Sequence, residues 1–415
     1  MKNKPILTAA AFMVTALAAF EAGRLTRMSQ NESAVAAEEK PVERKGLAPK
    51  ADAPAASTSA RSGRQASIAE SLTQTLPRLE SIVLGENPFD RNRALLAFLD
   101  RLAPGDFESV VDHFRSMGIT EERLGEYRLM LAAWAKVDPL AALTYAKAKT
   151  GSAFAANTIL STWATEDPAA ALRWAQENHQ GDEANPWLVG VIRGIAATDV
   201  EGASKLLKSM PRSVERGEAL DALLPHLLVT GNEATRSWIA SIDDDALRNG
   251  AALRTAEAMA KTDPAGTVDW LMANPGEALD RRLDDIFGIW AKQDETAAQR
   301  ALGTLPSGEI RSDALRGLVR HFALSTPSEA IALMDQYPQE VDDYTVSNFI
   351  WHSFDQDPAV AIGEVARIDD EERRNEMYRR TVGAWIRRDA AAANAWLGNN
   401  TLPDSVIRSL PKDSE

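Results

Sequence analysis

The chain has 415 residues, of which 45% are hydrophobic and 26% charged, a composition typical of a soluble globular protein of one to three domains. It contains no cysteine, which excludes disulfide frameworks, cysteine-ligated metal centres, thiol enzymes and lipoproteins. Its net charge of -14 argues against a nucleic-acid partner, because phosphate binding requires a net positive surface.

The first 24 residues have the features of a targeting segment. A short basic start precedes an uncharged run over 5–20, and Ala18 completes a small–x–small cleavage site. Sixteen helical residues span about 24 Å, less than the roughly 30 Å of a bilayer core. We therefore predict a periplasmic or cell-envelope protein in which residues 1–24 are a signal peptide, released after cleavage near Ala18, or an N-terminal anchor formed by 5–23. This segment is the only membrane contact that we expect.

The next segment, residues 25–65, is rich in Ala, Pro, Ser, Lys and Glu and poor in large apolar groups. Such a composition predicts a disordered linker. Residues 1–66 carry 10 basic and 6 acidic side chains, whereas the remainder carries 36 and 54. The acidity therefore belongs to the predicted folded domain, residues 66–412.

The folded domain contains one recurring phrase. It is clearest in Trp134–Ala146 and Trp163–Ala175, where a Trp-Ala pair precedes Asp-Pro by four residues and alanines follow. Ten copies, some of them weak, centre on residues 106, 138, 167, 199, 231, 263, 294, 326, 357 and 389. A period of 29–32 residues is the signature of a repeat architecture.

Each phrase predicts a junction between two helices. Asp or Thr followed by Pro is a helix start, because the side chain caps free N–H groups and proline suits the first helical position. At Thr326 we also expect a capping box with Glu329. At the centres from 138 to 389, large apolar residues stand four before the centre, except at Ser353, and small ones stand four after it. Seven of these centres have a large residue again seven after. Eight of the ten tryptophans occupy these large positions, which indicates packing between helices.

The predicted fold class is all-α. We expect an open α–α solenoid, a right-handed superhelix of about ten two-helix repeats of 31–32 residues, because a single pair cannot bury its apolar faces alone. A helical lead-in near 67–84 and a capping helix over 404–410 complete the prediction.

The phrase resembles tetratricopeptide-type helix–turn–helix repeats, although the unit is shorter than 34 residues and the Trp-Leu-Gly…Tyr signature is missing. It is more similar to exported bacterial proteins with repeated Trp-Ala-x-x-Asp-Pro-x-x-Ala phrases, over about three quarters of the chain. The resemblance implies fold and export, and it implies no catalytic residue.

The sequence contains no catalytic motif and predicts no metal site or cofactor. The five histidines form no metal-ligand spacing, and no nucleophile elbow, phosphate loop or dinucleotide fingerprint occurs. Acidic clusters recur at Asp243–Asp245, Asp284–Asp285, Asp342–Asp343 and Asp369–Glu372. Helix capping explains them better than acid–base chemistry or calcium binding.

Residues that depart from the repeat pattern are the candidate partner-binding residues. Large side chains replace small ones six residues before several centres, and further aromatic residues lie outside the two tryptophan positions. Aromatic and arginine side chains are typical anchors in interfaces, while local repacking around the irregular Ser353 repeat is the alternative explanation. The candidates are Trp187, Arg193, Arg320, Tyr344, Trp351 and His352.

These patterns favour an exported, non-enzymatic scaffold that binds a protein or peptide. The acidic domain favours a basic partner. Two alternatives stay open: an envelope polysaccharide-acting enzyme of the helical-toroid type with paired carboxylates, and an architectural spacer tethered to the membrane.

Overall fold

The computed structural model describes residues 74–411, and all regular secondary structure in that range is helical. The all-α prediction is therefore confirmed for this part of the chain. No helix within 74–411 is long and apolar enough to cross a membrane. The predicted targeting segment and the linker over 25–65 lie outside the described residues.

The helices alternate between a first and a second helix of each predicted repeat, followed by a short last helix. In chain order they are α1 (74–83), α2 (Pro88–Leu99), α3 (Phe107–Ser116), α4 (Leu124–Val137), α5 (Pro139–Tyr145), α6 (Ala153–Glu166), α7 (Pro168–Glu177), α8 (Leu188–Ile195), α9 (Val200–Ser209), α10 (Val214–Val229), α11 (Asn232–Ala240), α12 (Asp245–Ala260), α13 (Pro264–Ala273), α14 (Glu277–Gln293), α15 (Glu295–Thr304), α16 (Glu309–Ser325), α17 (Pro327–Gln336), α18 (Asp343–Ser353), α19 (Pro358–Gly363), α20 (Glu371–Arg388), α21 (Ala390–Leu397) and α22 (Asp404–Ile407). We call α4, α6, α8 and every second helix up to α20 the first helices, and α5, α7, α9 and so on up to α21 the second helices.

The predicted aspartate caps are confirmed. At each of seven junctions the side chain accepts a hydrogen bond of 2.8–3.1 Å from the backbone N–H three residues later, which satisfies a donor of the first turn. These caps are Asp138, Asp167, Asp199, Asp263, Asp294, Asp357 and Asp389.

Two other junctions are built differently. The predicted side-chain cap at Thr326 is wrong, because its hydroxyl makes no capping bond and its backbone carbonyl instead accepts from the Glu329 N–H at 2.9 Å. Gly231 precedes α11 with φ 101°, a left-handed conformation that suits glycine.

The predicted apolar positions form the core. The small residue four after each centre is fully buried at all nine junctions from 138 to 389. The large residue four before the centre is buried at seven of these nine, Trp163 is half-buried, and Ser353, the exception in size, is buried too. None of the eight in-phase tryptophans is exposed, in agreement with a packing role.

Neighbouring first helices also pack against each other. These contacts run from α4 to α18, whereas no two consecutive second helices in the described part of the chain pack to a comparable extent. Glycines permit the closest approaches. A Cβ added at Gly194 in α8 would lie 2.4 Å from the Ser161 carbonyl oxygen in α6, and one at Gly317 in α16 would lie 2.0 Å from the Asp284 carbonyl oxygen in α14.

Candidate functional site

Five of the six predicted partner-binding residues lie on first helices. Arg193 is in α8, Arg320 is in α16, and α18 carries Tyr344, Trp351 and His352. The structure brings the candidates of α16 and α18 together and leaves the other two near α8.

Two large aromatic side chains of α18 are exposed. Tyr344 is 59% and Trp351 47% accessible, and their separation of seven positions, about two helical turns, places both on one side of the helix. Each ring has a guanidinium beside its face. The Arg316 Cζ lies 4.8 Å from the Tyr344 ring centroid, and the Arg380 Cζ lies 5.0 Å from the Trp351 ring centroid. These cation–π contacts orient the rings while leaving them accessible.

Arg320 connects this surface to α14. Its guanidinium donates to the Asp285 carboxylate at 2.9 Å and lies 3.5 Å from the Asp284 carboxylate. Gly288 provides the space, because a Cβ there would be 3.2 Å from an Arg320 nitrogen. Partial burial lowers the pKa of His352, and the positive charge of Arg320 lowers it further. The imidazole is therefore neutral at pH 7.

The carboxylates around Arg316 differ in proton affinity. Burial raises the pKa of Asp284, and the nearby Asp285 charge adds to the effect. Burial also raises the pKa of Asp313, although Arg316 lies 2.9 Å away and opposes the shift. For Asp342 burial is outweighed by hydrogen bonds from Thr345 and by the charge of Arg316, so its pKa is lowered.

A cavity of about 320 Å³ adjoins this cluster. Its lining combines the charged side chains of Arg320 and Lys292 with the apolar side chains of Ile289 and Leu324. Leu324 is itself exposed. A peptide side chain with an apolar stem and a polar end would fit such a lining.

We name the exposed and half-buried side chains of α14, α16, α18 and α20 around this cluster the aromatic–arginine face. Its members are Asp284, Asp285, Arg316, Arg320, Leu324, Tyr344, Trp351, His352 and Arg380. Of these, Arg320, Tyr344, Trp351 and His352 are among the residues predicted from the sequence, whereas the two arginines that stack on the rings, Arg316 and Arg380, are not. Arg316 lies ten residues before centre 326, and Arg380 lies nine residues before centre 389. Both positions are one helical turn from the position of Arg320, six residues before its centre, so their charge could have identified them as part of the same helix face.

Trp187 is not part of this face. It is half-buried, its indole N–H donates to the Asn178 carbonyl at 3.3 Å, and its ring lies edge-on to Trp174 with centroids 6.0 Å apart. These contacts close the junction between α7 and α8. Arg193 is exposed on α8 and has no carboxylate at ion-pair distance in the described part of the chain.

Within 74–411 no group of three or more His, Asp or Glu side chains is arranged to hold a metal ion. The acidic clusters instead supply helix caps, at Asp244, Asp342 and Asp370, or pair with arginines, as Asp284 and Asp285 do. No protein-family model, no curated protein and no solved structure matches the chain.

Proposed function

We propose that the described helices form an open α-solenoid of about ten two-helix repeats, a right-handed superhelix with the first helices on its inner side. The contacts support this arrangement, since consecutive first helices from α4 to α18 pack together and consecutive second helices within 74–411 do not pack to a comparable extent. A stack in which one row of helices is closer together curves with that row inside.

On this solenoid we propose a binding site for a protein or peptide, with no catalysis and no cofactor. The observation that carries the proposal is the exposure of Tyr344 and Trp351 beside Arg316 and Arg380. Tyrosine, tryptophan and arginine are the residues most enriched among interface anchors. If these two rings served only to pack the core, they would be buried.

The domain's excess of acidic residues favours a partner that is basic overall. Such a partner would meet the protein in the cell envelope, because the basic and apolar start of the chain favours export.

Site-specific photo-crosslinking tests this proposal. A photoreactive phenylalanine analogue replaces Trp351 in the full chain, and the same analogue replaces Leu140 as the control. Leu140 is 54% exposed but lies on the second helix α5. We expect one or a few discrete crosslinked proteins from position 351 and none of these from position 140. Equal products at both positions, or none at 351, would contradict a binding role for this face.

A double variant with Trp351→Ala and Arg320→Ala distinguishes this proposal from an architectural spacer. If the protein is a spacer, the variant keeps its function. If it is a binding scaffold, the variant no longer binds its partner. Circular dichroism and thermal unfolding of the purified variant establish that any loss of partner is not a loss of fold.

An enzyme remains the second candidate, and one observation favours it. Asp284 and Asp313 are half-buried neighbours whose pKa values are both raised, as a general acid requires. Ion pairs of Asp313 with Arg316 and of Asp284 with Arg320 also give both carboxylates a structural role that needs no catalysis. Release of sugar fragments from cell-wall glycan by the wild type, lost in Asp284→Asn and Asp313→Asn, would decide in favour of catalysis.

A further inference from the structure

A second cavity, of about 470 Å³, opens between the first helices α10 and α12. Gly217 of α10 and Gly250 of α12 line it, and because neither carries a side chain, the space between the two helices stays open there. The half-buried side chain of Leu253 supplies an apolar wall. This cavity shares no lining residue with the one beside the aromatic–arginine face, so it is a separate place for a ligand group.

Arg254 of α12 lines this cavity with part of its guanidinium unused. Its Nε donates to the Asp221 carboxylate at 2.7 Å, and its Nη1 donates to the Gly250 carbonyl at 3.2 Å. Its Nη2 makes no hydrogen bond within 74–411, and a Cβ added at Gly217 would lie 3.6 Å from this nitrogen. A guanidinium has five N–H donors, so three of them remain available at the cavity.

Arg212, which precedes α10, lines the same cavity and is exposed. It forms no ion pair with any carboxylate in the described part of the chain. Two other charged residues of the lining already have partners, since Arg216 pairs with Asp244 at 3.1 Å and Glu277 pairs with Arg281 at 2.6 Å. The cavity therefore has an uncompensated positive charge at its edge and free guanidinium donors beside it, which together attract an anion.

The cavity also lies at the repeat positions that build the aromatic–arginine face. Gly250 stands thirteen residues before its centre, as Tyr344 does. Arg254 stands nine residues before its centre, as Arg380 does. Because equivalent positions of stacked repeats face the same side, a ligand that runs along the first helices would reach both places.

We propose that Arg212 and Arg254 form a carboxylate-binding site in this cavity, and that it holds an acidic group of the peptide ligand. Guanidinium groups bind carboxylates through paired, charge-assisted hydrogen bonds, and Leu253 offers an apolar contact to the ligand atoms that carry the carboxylate. This inference rests on the proposed peptide-binding function and makes it more specific. The partner is basic overall but carries an acidic group, either an Asp or Glu side chain or its C-terminal carboxylate, where it crosses α10 and α12.

The test uses three fluorescein-labelled decapeptides made of Gly, Ser and Lys. The first is amidated and has no acidic group, the second is amidated and contains two adjacent glutamates, and the third has no glutamate but a free C-terminal carboxylate. Binding to the full chain is measured by fluorescence anisotropy at low ionic strength. The second and third peptides distinguish a side-chain carboxylate from a chain terminus.

Three variants separate the charge of the site from its volume. Arg212→Gln and Arg254→Gln each remove a guanidinium, whereas Gly217→Leu fills the cavity and keeps both. Arg173→Gln is the control for charge, because Arg173 is exposed on the second helix α7 and forms no ion pair in the described part of the chain. Gly125→Leu is the control for volume, because a Cβ there meets nothing within 4 Å. Circular dichroism establishes that each variant is folded.

We expect at least one acid-bearing peptide to bind more tightly than the first peptide. Loss of one charge-assisted contact should weaken that binding about tenfold in Arg212→Gln and in Arg254→Gln. Gly217→Leu should weaken it at least as much, because the added side chain occupies the space of the carboxylate. Binding should be unchanged in Arg173→Gln and Gly125→Leu.

Equal binding of all three peptides, absence of binding by either acid-bearing peptide, or equal weakening by Arg212→Gln and Arg173→Gln would overturn the carboxylate site. Unchanged binding in a folded Gly217→Leu variant would overturn its placement in this cavity. The crosslinking result at position 351 stands independently. Discrete crosslinks there, with no preference for acidic peptides, would leave the binding scaffold in place and reject only this site.

Discussion

At the scale of single residues, the neighbours of an aspartate decide its role. Asp167 precedes Pro168 and accepts only from the Ala170 N–H at 2.9 Å, so it acts as a helix cap. Asp284 lies within α14, where its carboxylate accepts from the Asp285 N–H at 2.8 Å and also lies 3.5 Å from the Arg320 guanidinium. The same side chain therefore stabilises local structure in one place and contributes to a charged surface in the other.

The cap role leads to a quantitative prediction. Asp167→Ala should lower the free energy of unfolding by about 1 kcal/mol, because it leaves the Ala170 N–H without its capping acceptor. Glu166→Ala is the matched control, since Glu166 is exposed and its side chain makes no hydrogen bond or ion pair with any residue between 74 and 411. Urea denaturation measures both, and an equal loss in the two variants would show that capping is not the cause.

His352 should make stability depend on pH. The pKa of His352 is lower in the folded protein than in the unfolded chain. At pH values between these two pKa values the imidazole is protonated in the unfolded chain and neutral in the folded protein. Its contribution to stability is full above the ordinary pKa and is lost as the pH falls. His352→Gln should therefore lose less stability than the wild type between pH 7.5 and pH 5. Urea midpoints measured at both values test this, and parallel losses in the two proteins would contradict it.

At the scale of helices, the sequence predicted which residues each element buries better than it predicted how elements meet. The caps and the small residue four after each centre follow from local geometry, and the structure confirms them. Six arginines, fifteen residues before six of the centres, were missed. Each donates to the backbone carbonyl six residues earlier and so closes the turn between repeats; they are Arg91, Arg123, Arg216, Arg248, Arg311 and Arg374. Their common acceptor is a main-chain oxygen, which no sequence pattern displays.

The candidate site shows the same limit. The position of Trp351, six residues before its centre, marked it as unusual within the repeat. Its contact with Arg380 depends on the spacing between α18 and α20, and the contact of Tyr344 with Arg316 depends on the register of α16 against α18. Distances between helices are set by packing of whole side chains, which the sequence does not specify residue by residue.

The close packing of α14 and α16 gives a prediction at this scale. Gly317→Ala should destabilise the protein by about 1–3 kcal/mol, because its Cβ would overlap the Asp284 carbonyl and push the helices apart. Gly125→Ala is the control, since the added methyl in α4 meets nothing within 4 Å and alanine favours a helix. Thermal unfolding should therefore show a lower midpoint for Gly317→Ala and an unchanged or higher one for Gly125→Ala. Two lowered midpoints would contradict the role given to this contact.

At the scale of the whole domain, the buried residues form two apolar clusters that meet inside α12. The first runs from Leu79 to Ala251, and the second from Ala256 to Val406. Trp270 of α13 packs against both clusters. The helix pair α12–α13 therefore completes the first core and begins the second, as expected where each unit is stabilised by its two neighbours.

This division predicts a difference between two C-terminal truncations. A chain ending at residue 275 keeps α12 and α13, whereas one ending at 243 exposes the apolar side chains of α10 that α12 covers. Because stability in a repeat array is a sum over neighbouring units, both should fold, and the longer chain should have the higher melting temperature and the larger urea m-value. Circular dichroism at 222 nm against temperature and urea measures both quantities. Equal midpoints, or two unfolded chains, would mean that the domain unfolds only as one unit and that its stability is not distributed between neighbouring helix pairs.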